Sequence, residues 1–438
     1  MALPDAQAVP ACSQSRVTNG VPVALCNSAE QKVRSQRLRV LLVDLLSVVP
    51  YYTGHLCSGL REMERLDVRL ASITYGHDPS FFRRMGLRND PGLLDVTYKV
   101  PGTVFRLRRL LKLLECLLNM AILSLRFLIS KPDIVHVQFI PLVQHGVPFE
   151  LWFLKLARAC GIKLAYTVHN VLPQDTGERH RKAYTRVYEL IDAFICHDDS
   201  AKRTLVNEFH INSDRIAVIP HGPLFKPAGP PSRDEARTRL GLPSNTFVVL
   251  WQGIVRPYKG VSVLLKAWAA TCKAGLNGVL AIVGTGDAEL LRDIQNEVRD
   301  SKSSVRLVLR FVSVEELANF YQAADVVVYP YTEVTTSGAL MTGIAYGKAI
   351  VASALPAFQE LLRHEQNALL VPCKDVEALA DSLVRLAGDA ELRERLARQL
   401  QQDQAAAPSW ADIAQHTFKC YYAMVHSRGV GTVELVEC

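Results

Sequence analysis

What most constrains this chain is an alternation of element types that runs twice. From Leu38 onward, short runs rich in leucine and β-branched residues read as strands: LRVLLVD (38–44), VRLASITY (68–75), DIVHVQF (133–139), KLAYTVHN (163–170), DAFICH (192–197) and RIAVIPHG (215–222). Helical spacing of apolar residues predicts helices between them over 55–66, 104–130, 150–160, 179–191 and 199–209. Continuous apolar strands separated by helices call for parallel sheets covered on both faces. HGPLFKPAGPPS (221–232) can continue neither element, because repeated proline and glycine remove donors and impose turns. The alternation then restarts with TFVVLWQG (246–253), GVLAIVG (278–284), VRLVLRF (305–311), DVVVYPY (325–331), AIVAS (349–353) and NALLVP (367–372). Two α/β domains in tandem follow, 38–225 and 226–410, with ligands expected in a cleft at the carboxyl ends of the strands. Residues 411–438 add a C-terminal helix and tail.

Composition excludes other classes. Of 438 residues 49% are apolar and 21% charged, too apolar for a disordered or fibrous chain. The 10 cysteines form no CxxC pair, which argues against a zinc site and for a reducing compartment. The net charge of +7 resides in two stretches, residues 1–37 and residues 101–131, so no broad basic groove for nucleic acid is expected. Residues 1–37 lack a secretory apolar core and read as a disordered tail. The most apolar stretch, Leu110–Leu128, contains Lys112, Glu115, Asn119 and Arg126, against a membrane span. A cytoplasmic protein is the expectation, with a peripheral place at the inner membrane face open.

Two segments carry chemistry. In WQGIVRPYKGVSVLLKAW (251–268) a strand ends at Gly253, a loop delivers Arg256 and Lys259, and a helix begins after Gly260. Two cations at a helix start suit a diphosphate, although a helix start needs no ligand. In DVVVYPYTEVTTSGALMTGIAYGKAIVAS (325–353), Thr335, Thr336, Ser337 and Gly338 precede a second helix; they can cap it or receive phosphate.

The RPYKG run, the PY…TSG run followed by GK, and LPAFQE (355–360) resemble the retaining nucleotide-sugar glycosyltransferases of family 4 (group 1), with the GT-B fold. The resemblance extends from Leu38 to about Ser427 and is densest in the second half. It implies two Rossmann-like parallel-sheet domains facing an interdomain cleft. The first would be the acceptor side and the second the nucleotide-sugar-binding side, with the C-terminal helix crossing back to the first. Arg256 and Lys259 would then hold the donor diphosphate, with backbone amides of Ser337, Gly338 and Ala339. Gly284, Arg310, Phe311, Val312 and Thr336 would lie near the nucleotide or sugar. His169, in TVHNVLPQD (167–175), would face the sugar as the catalytic-site histidine, and His221 would line the cleft. The 47–60 segment would stand for a glycine-rich loop beneath the donor, to which only Thr53 and Gly54 contribute.

The chain also departs from the family. Where many members carry two glutamates, Val334 and Thr342 stand here, and Glu333 lies one residue earlier as a substitute donor contact. The family mechanism, same-face attack assisted by the leaving diphosphate, needs neither paired carboxylates nor a metal, and no cofactor is expected. A glycan or lipid-linked acceptor fits. Residues 104–130 read as a domain helix packed on the sheet, with basic first turns in solvent; Arg106, Arg108, Arg109 and Lys112 could touch anionic lipid within 104–126. The rival readings are a nucleotide-sugar epimerase, and a non-catalytic subunit that keeps the fold and binds a partner or membrane.

Overall fold

The computed structural model describes residues 37–100, 105–143, 148–173, 177–225, 229–301, 304–334, 337–403 and 407–426. The expected tail over residues 1–36 and the last residues from 427 lie outside the described residues. The first half forms a six-stranded sheet of β1 (Leu38–Asp44), β2 (Leu66–Ser72), β3 (Ile134–Val137), β4 (Lys163–Val168), β5 (Ala193–Cys196) and β6 (Ile216–Val218), in the order β2-β1-β3-β4-β5-β6. The second holds β7 (Phe247–Gln252), β8 (Gly278–Gly284), β9 (Val305–Leu309), β10 (Val326–Tyr329), β11 (Ala349–Ser353) and β12 (Leu369–Val371), in the order β12-β11-β10-β7-β8-β9. Every pairing is parallel. This is the pair of parallel-sheet domains expected from the alternation.

Each sheet is covered on both faces, which is why its strands read as unbroken apolar runs. In β1, Leu41 and Val43 enter one core and Val40 and Leu42 the other. The second sheet divides in the same way, with Val249 and Trp251 on one side of β7 and Val248 and Leu250 on the other.

Three helices matter for the site. Helix α1 (Pro50–Arg61) begins five residues earlier than the spacing predicts. Pro50 supplies a preset first turn, and the Asp44 carboxylate accepts from the Val48 and Val49 amides at 2.8 and 3.0 Å. The expected loop over 47–60 is therefore mostly helix.

Helix α2 (Phe105–Ile129) corrects a second expectation. Its polar row faces inward. Glu115 accepts from the Thr97 amide at 3.2 Å, Asn119 bonds both backbone groups of Leu94 at 2.7 and 2.9 Å, and Arg126 pairs with Asp90 at 2.8 Å. These groups satisfy the backbone of the connection over 90–97, which otherwise has no strand to bond. Cys116, Met120, Leu123 and Phe127 pack on the sheet, while Leu107, Leu110, Leu114, Leu118, Leu125 and Leu128 are exposed. The basic first turns are not simply in solvent either. Lys112 is half-buried, with its pKa lowered by burial even though Asp44 nearby opposes the shift.

The third is the last described helix, running over Trp410–Val425. It starts at a reciprocal cap between Ser409 and Asp412 and buries Ile413, Ala414, Cys420 and Tyr421 against α1 and the first sheet. Among the described residues no helix is long and apolar enough to cross a membrane.

Candidate active site in the interdomain cleft

The two sheets point their carboxyl ends at a shared cavity of about 230 Å³. Pro50, Tyr51, Tyr52, His77, His169 and His221 line it from the first half. Gln252, Gly253, Gly284, Thr285, Phe311 and Val312 line it from the second. His77 stacks on Phe311 across the gap, with centroids 5.5 Å apart.

On the first-half wall, three adjacent strands each end near a histidine: His169 after β4, His197 after β5 and His221 after β6. Their rings gather at centroid distances of 5.1 Å for His169–His197 and 5.0 Å for His197–His221. Tyr52, from the first turn of α1, touches all three rings at 4.7, 5.1 and 5.0 Å. Burial holds all of them neutral: His197 falls to about 4 and His221 to about 3, with His169 also well below the ordinary range. The sequence reading singled out His169 and His221 but missed His197. The available signal was its place at the carboxyl end of the DAFICH strand, the same place that His169 holds after its own.

On the opposite wall, β7 and β8 end in glycines that cross closely. A Cβ on Gly284 would lie 1.8 Å from the Gly253 carbonyl oxygen, so only glycine fits. The turn after β7 carries Arg256 and Lys259 and ends at Gly260, whose φ of +66° and approach to Pro330 likewise exclude a side chain. Helix α3 (Val261–Lys273) follows. Lys259 folds back over Gly253, with its ammonium 5.5 Å from the Tyr331 ring centroid. It is half-buried and has no carboxylate within 4 Å among the described residues. Burial, then the neighbouring Arg256, lowers its pKa to about 8. Arg256 is exposed and pairs with Asp287 at 3.1 Å.

Helix α4 (Gly338–Ala345) brings a second amide-bearing end to this wall. Ser337 caps it by accepting from the Leu340 amide at 3.1 Å. Gly338 abuts Leu224 and His221, so the helix start meets the first half directly. The Ala339 carbonyl is taken by Tyr329, which donates at 2.7 Å. Thr336 lies outside the described residues.

His169, Gly284, Phe311 and Val312 thus line one cavity; Lys259 lies over its rim beside Gly253, and Gly338, between Ser337 and Ala339 at the start of α4, lies against His221. Other residues fall elsewhere. Arg310 turns outward to Glu316 at 2.9 Å. Thr53 is buried 3.4 Å from Asp44, and Gly54 packs on Phe81 and Met85. Glu333 is exposed, Val334 packs on the domain core, and Thr342 is buried, donating to the Gly338 carbonyl at 2.7 Å. Among the described residues no group of three or more His, Cys, Asp or Glu side chains is arranged to hold a metal.

Known proteins share this organisation. Residues 50–222 match Glycosyltransferase Family 4, and residues 246–389 match Glycosyl transferases group 1. A D-inositol 3-phosphate glycosyltransferase of Nocardioides sp. is 31% identical over 250 residues, covering 54% of this chain and 54% of that protein. One from Corynebacterium glutamicum is 24% identical over 294 residues, covering 64% of this chain and 69% of its own. The chain therefore spans about half the length of the first of these relatives. Among solved structures, Anabaena HepE in complex with UDP and glucose superposes with a TM-score of 0.69 at 14% identity, covering 89% of this chain and 100% of its own. Sucrose-phosphate synthase of Thermosynechococcus elongatus gives 0.68 at 19% identity, covering 89% and 100%. At these identities the structures share the fold.

Proposed function

The chain belongs to the family 4 (group 1) glycosyltransferases of GT-B fold, and on that premise we propose that it is a retaining hexosyltransferase using a nucleotide-sugar donor bound in the interdomain cleft. The acceptor is a glycan or a lipid-linked glycan, in polysaccharide or glycolipid synthesis. The observation that carries this reading is Lys259: a half-buried cation without a carboxylate partner among the described residues, over the rim of a cavity faced by His169. A desolvated, unpartnered ammonium is stabilised by an anion, and a diphosphate at the start of α3 supplies one.

In the proposed reaction the bond from the sugar's anomeric carbon to the diphosphate oxygen breaks. A bond to an acceptor hydroxyl oxygen forms on the same face, and the hydroxyl proton passes to the departing diphosphate. Lys259 and Arg256 stabilise the charge that develops on that leaving group. Amides of Ser337, Gly338 and Ala339 act on the same anion from the start of α4, and no metal or cofactor is invoked. UDP is the first nucleotide to try, since HepE is found with it. Thermal shift against UDP, GDP and ADP, with Lys259→Ala alongside, tests the reading. It predicts stabilisation by one nucleotide, abolished in the variant. No stabilisation by any of the three turns the reading toward a non-catalytic subunit.

A second reading rests on α2. Its exposed leucines at 107, 110, 114, 118, 125 and 128 follow helical spacing, and Arg109 is exposed beside them. Such a face suits peripheral contact with a lipid surface, dominated by apolar burial and aided by little charge. Flotation with phosphatidylcholine vesicles, with and without phosphatidylserine, tests it against the double variant Leu114→Asp, Leu118→Asp. Binding by the native chain and loss in the variant supports contact; equal recovery of both chains ends it.

A further inference from the structure

The histidines of the first-half wall form a hydrogen-bond series that ends in the cavity. His197 Nδ1 lies 3.1 Å from the Ile219 carbonyl oxygen, which can only accept, so Nδ1 carries the proton. In a neutral imidazole Nε2 is then bare, and this Nε2 lies 3.3 Å from His169 Nδ1. His169 must therefore donate from Nδ1, which leaves its Nε2 as a lone pair. That Nε2 is buried without a partner, on a residue lining the cavity. The Tyr52 ring stands edge-on to the imidazole at 86° and restrains its rotation.

We propose that His197 is a positioning residue that locks His169 in the Nδ1-protonated tautomer, so that His169 Nε2 accepts a hydrogen bond from a hydroxyl of the bound sugar. This rests on the reading of the cleft as a nucleotide-sugar site. Histidine is usually oriented by a carboxylate or a backbone carbonyl. Here an imidazole does it and passes the constraint on to a carbonyl, which fixes the tautomer without making His169 strongly basic. Burial lowers the pKa of both rings in the same sense. His169 then selects ligands that donate at this point and does not act as a general base. The Tyr52 hydroxyl is also buried without a partner.

The test uses the full chain labelled with ¹⁵N-histidine, with His169→Gln to assign the signals. Long-range ¹H–¹⁵N spectra should show a protonated Nδ1 and a bare Nε2 on His169. His197→Phe should lose that pattern. His197→Gln, whose amide can donate to Ile219 and accept from His169, should keep it. A proton on His169 Nε2 in the native chain overturns the proposal, as does an unchanged His169 in His197→Phe. Calorimetry supplies a second readout. His197→Phe should bind UDP as the native chain does and UDP-glucose about tenfold more weakly, equivalent to about 1.4 kcal/mol, with recovery in His197→Gln. Equal weakening of both ligands overturns the proposal. Failure of the native chain to bind either ligand counts against the nucleotide-sugar reading instead, while the spectra decide the tautomer independently.

Discussion

His136 Nδ1 lies 2.6 Å from the hydroxyl of Tyr421, 285 residues further along the chain, and its Nε2 lies 2.8 Å from Thr167 Oγ1. The last helix is thereby bonded to the central strands of the first sheet, within a core shared with α1. Trp410 adds a bond from its indole N–H to the Pro223 carbonyl at 2.9 Å. Tyr421→Phe keeps the packing but removes one of the two partners of a fully buried imidazole. An unsatisfied buried polar atom costs about 1–3 kcal/mol. The expected result is a lower Tm and faster proteolytic removal of the last helix; an unchanged Tm would show that the bond contributes nothing.

Four buried histidines make the fold sensitive to acid. Burial lowers His136 to about 3, His197 to about 4 and His221 to about 3, and lowers His169 as well. The unfolded chain takes up these protons near pH 6.5 and the folded chain does not. Stability is therefore full above about 6.5 and falls below it by about 1.4 kcal/mol per pH unit for each histidine. Glu150, raised by burial to about 8, acts in the opposite sense between its unfolded value and 8. Burial raises Asp44 and Glu297 as well, but it also lowers His55, His77 and His416, so seven histidines against three carboxylates set the sign. Tm should drop steadily from pH 6.5 to 5, and a flat profile there would contradict the neutral histidine cluster.

Lys259, lowered to about 8, should take up a proton when a diphosphate arrives, because the anion favours the ammonium form. Calorimetry in buffers of different ionisation enthalpy at pH 8–9 should detect net proton uptake on binding UDP, and affinity should weaken as pH rises through 8. Lys259→Arg should bind with the pH dependence removed, since guanidinium does not titrate in this range. Lys259→Ala, measured alongside, should bind weakly at every pH. Identical pH profiles for the native chain and Lys259→Arg would place the nucleotide elsewhere.

Arg237 is 1% exposed and ties together the segments that lead into β7 and β10, the central strands of the second sheet. Its guanidinium donates to the carbonyls of Pro243, Ser244, Thr246 and Ala323 and to the Asp325 carboxylate at 2.9 Å. Arg237→Met leaves Asp325 with Arg233 and the Val248 amide, each at 2.8 Å, but removes the shared donor of four carbonyls. Leaving a buried acceptor without its donor costs about 1–3 kcal/mol. Arg237→Lys should recover little, because one ammonium cannot reach all these acceptors. Denaturant unfolding checks both; a loss under 1 kcal/mol, on the scale of about one exposed pair, would refute the assignment.

Much of the architecture is written along the chain because strands buried on both faces must be apolar throughout. That run pattern located β1, β8 and β11 to the residue. Local chemistry likewise marked the Arg256–Lys259 turn, since a glycine after two cations is visible without a fold. Helix α2 shows where such reading stops. Its basic first turns were expected in solvent, yet Lys112 is half-buried, and Glu115, Asn119 and Arg126 turn inward to serve the backbone of a neighbouring connection. Periodicity reveals that a helix has two faces but not which one meets protein, because a polar row can be satisfied by backbone as well as by solvent.

The cleft depended still more on long-range contacts. His169, His197 and His221 each look like an isolated histidine at the end of a strand. Parallel pairing of β4, β5 and β6 sets the three ends side by side, and α1 lays Tyr52 over them. The tautomer of His169 is then fixed by a carbonyl at Ile219, just past the end of a different strand. Interactions between near neighbours suffice for the two sheets, the cationic turn and the strand-end position of His169, so these could be read along the chain. The hydrogen bonds those groups make, and the face of α2 that stays bare, depend on the register between segments far apart in sequence. Folding alone sets that register.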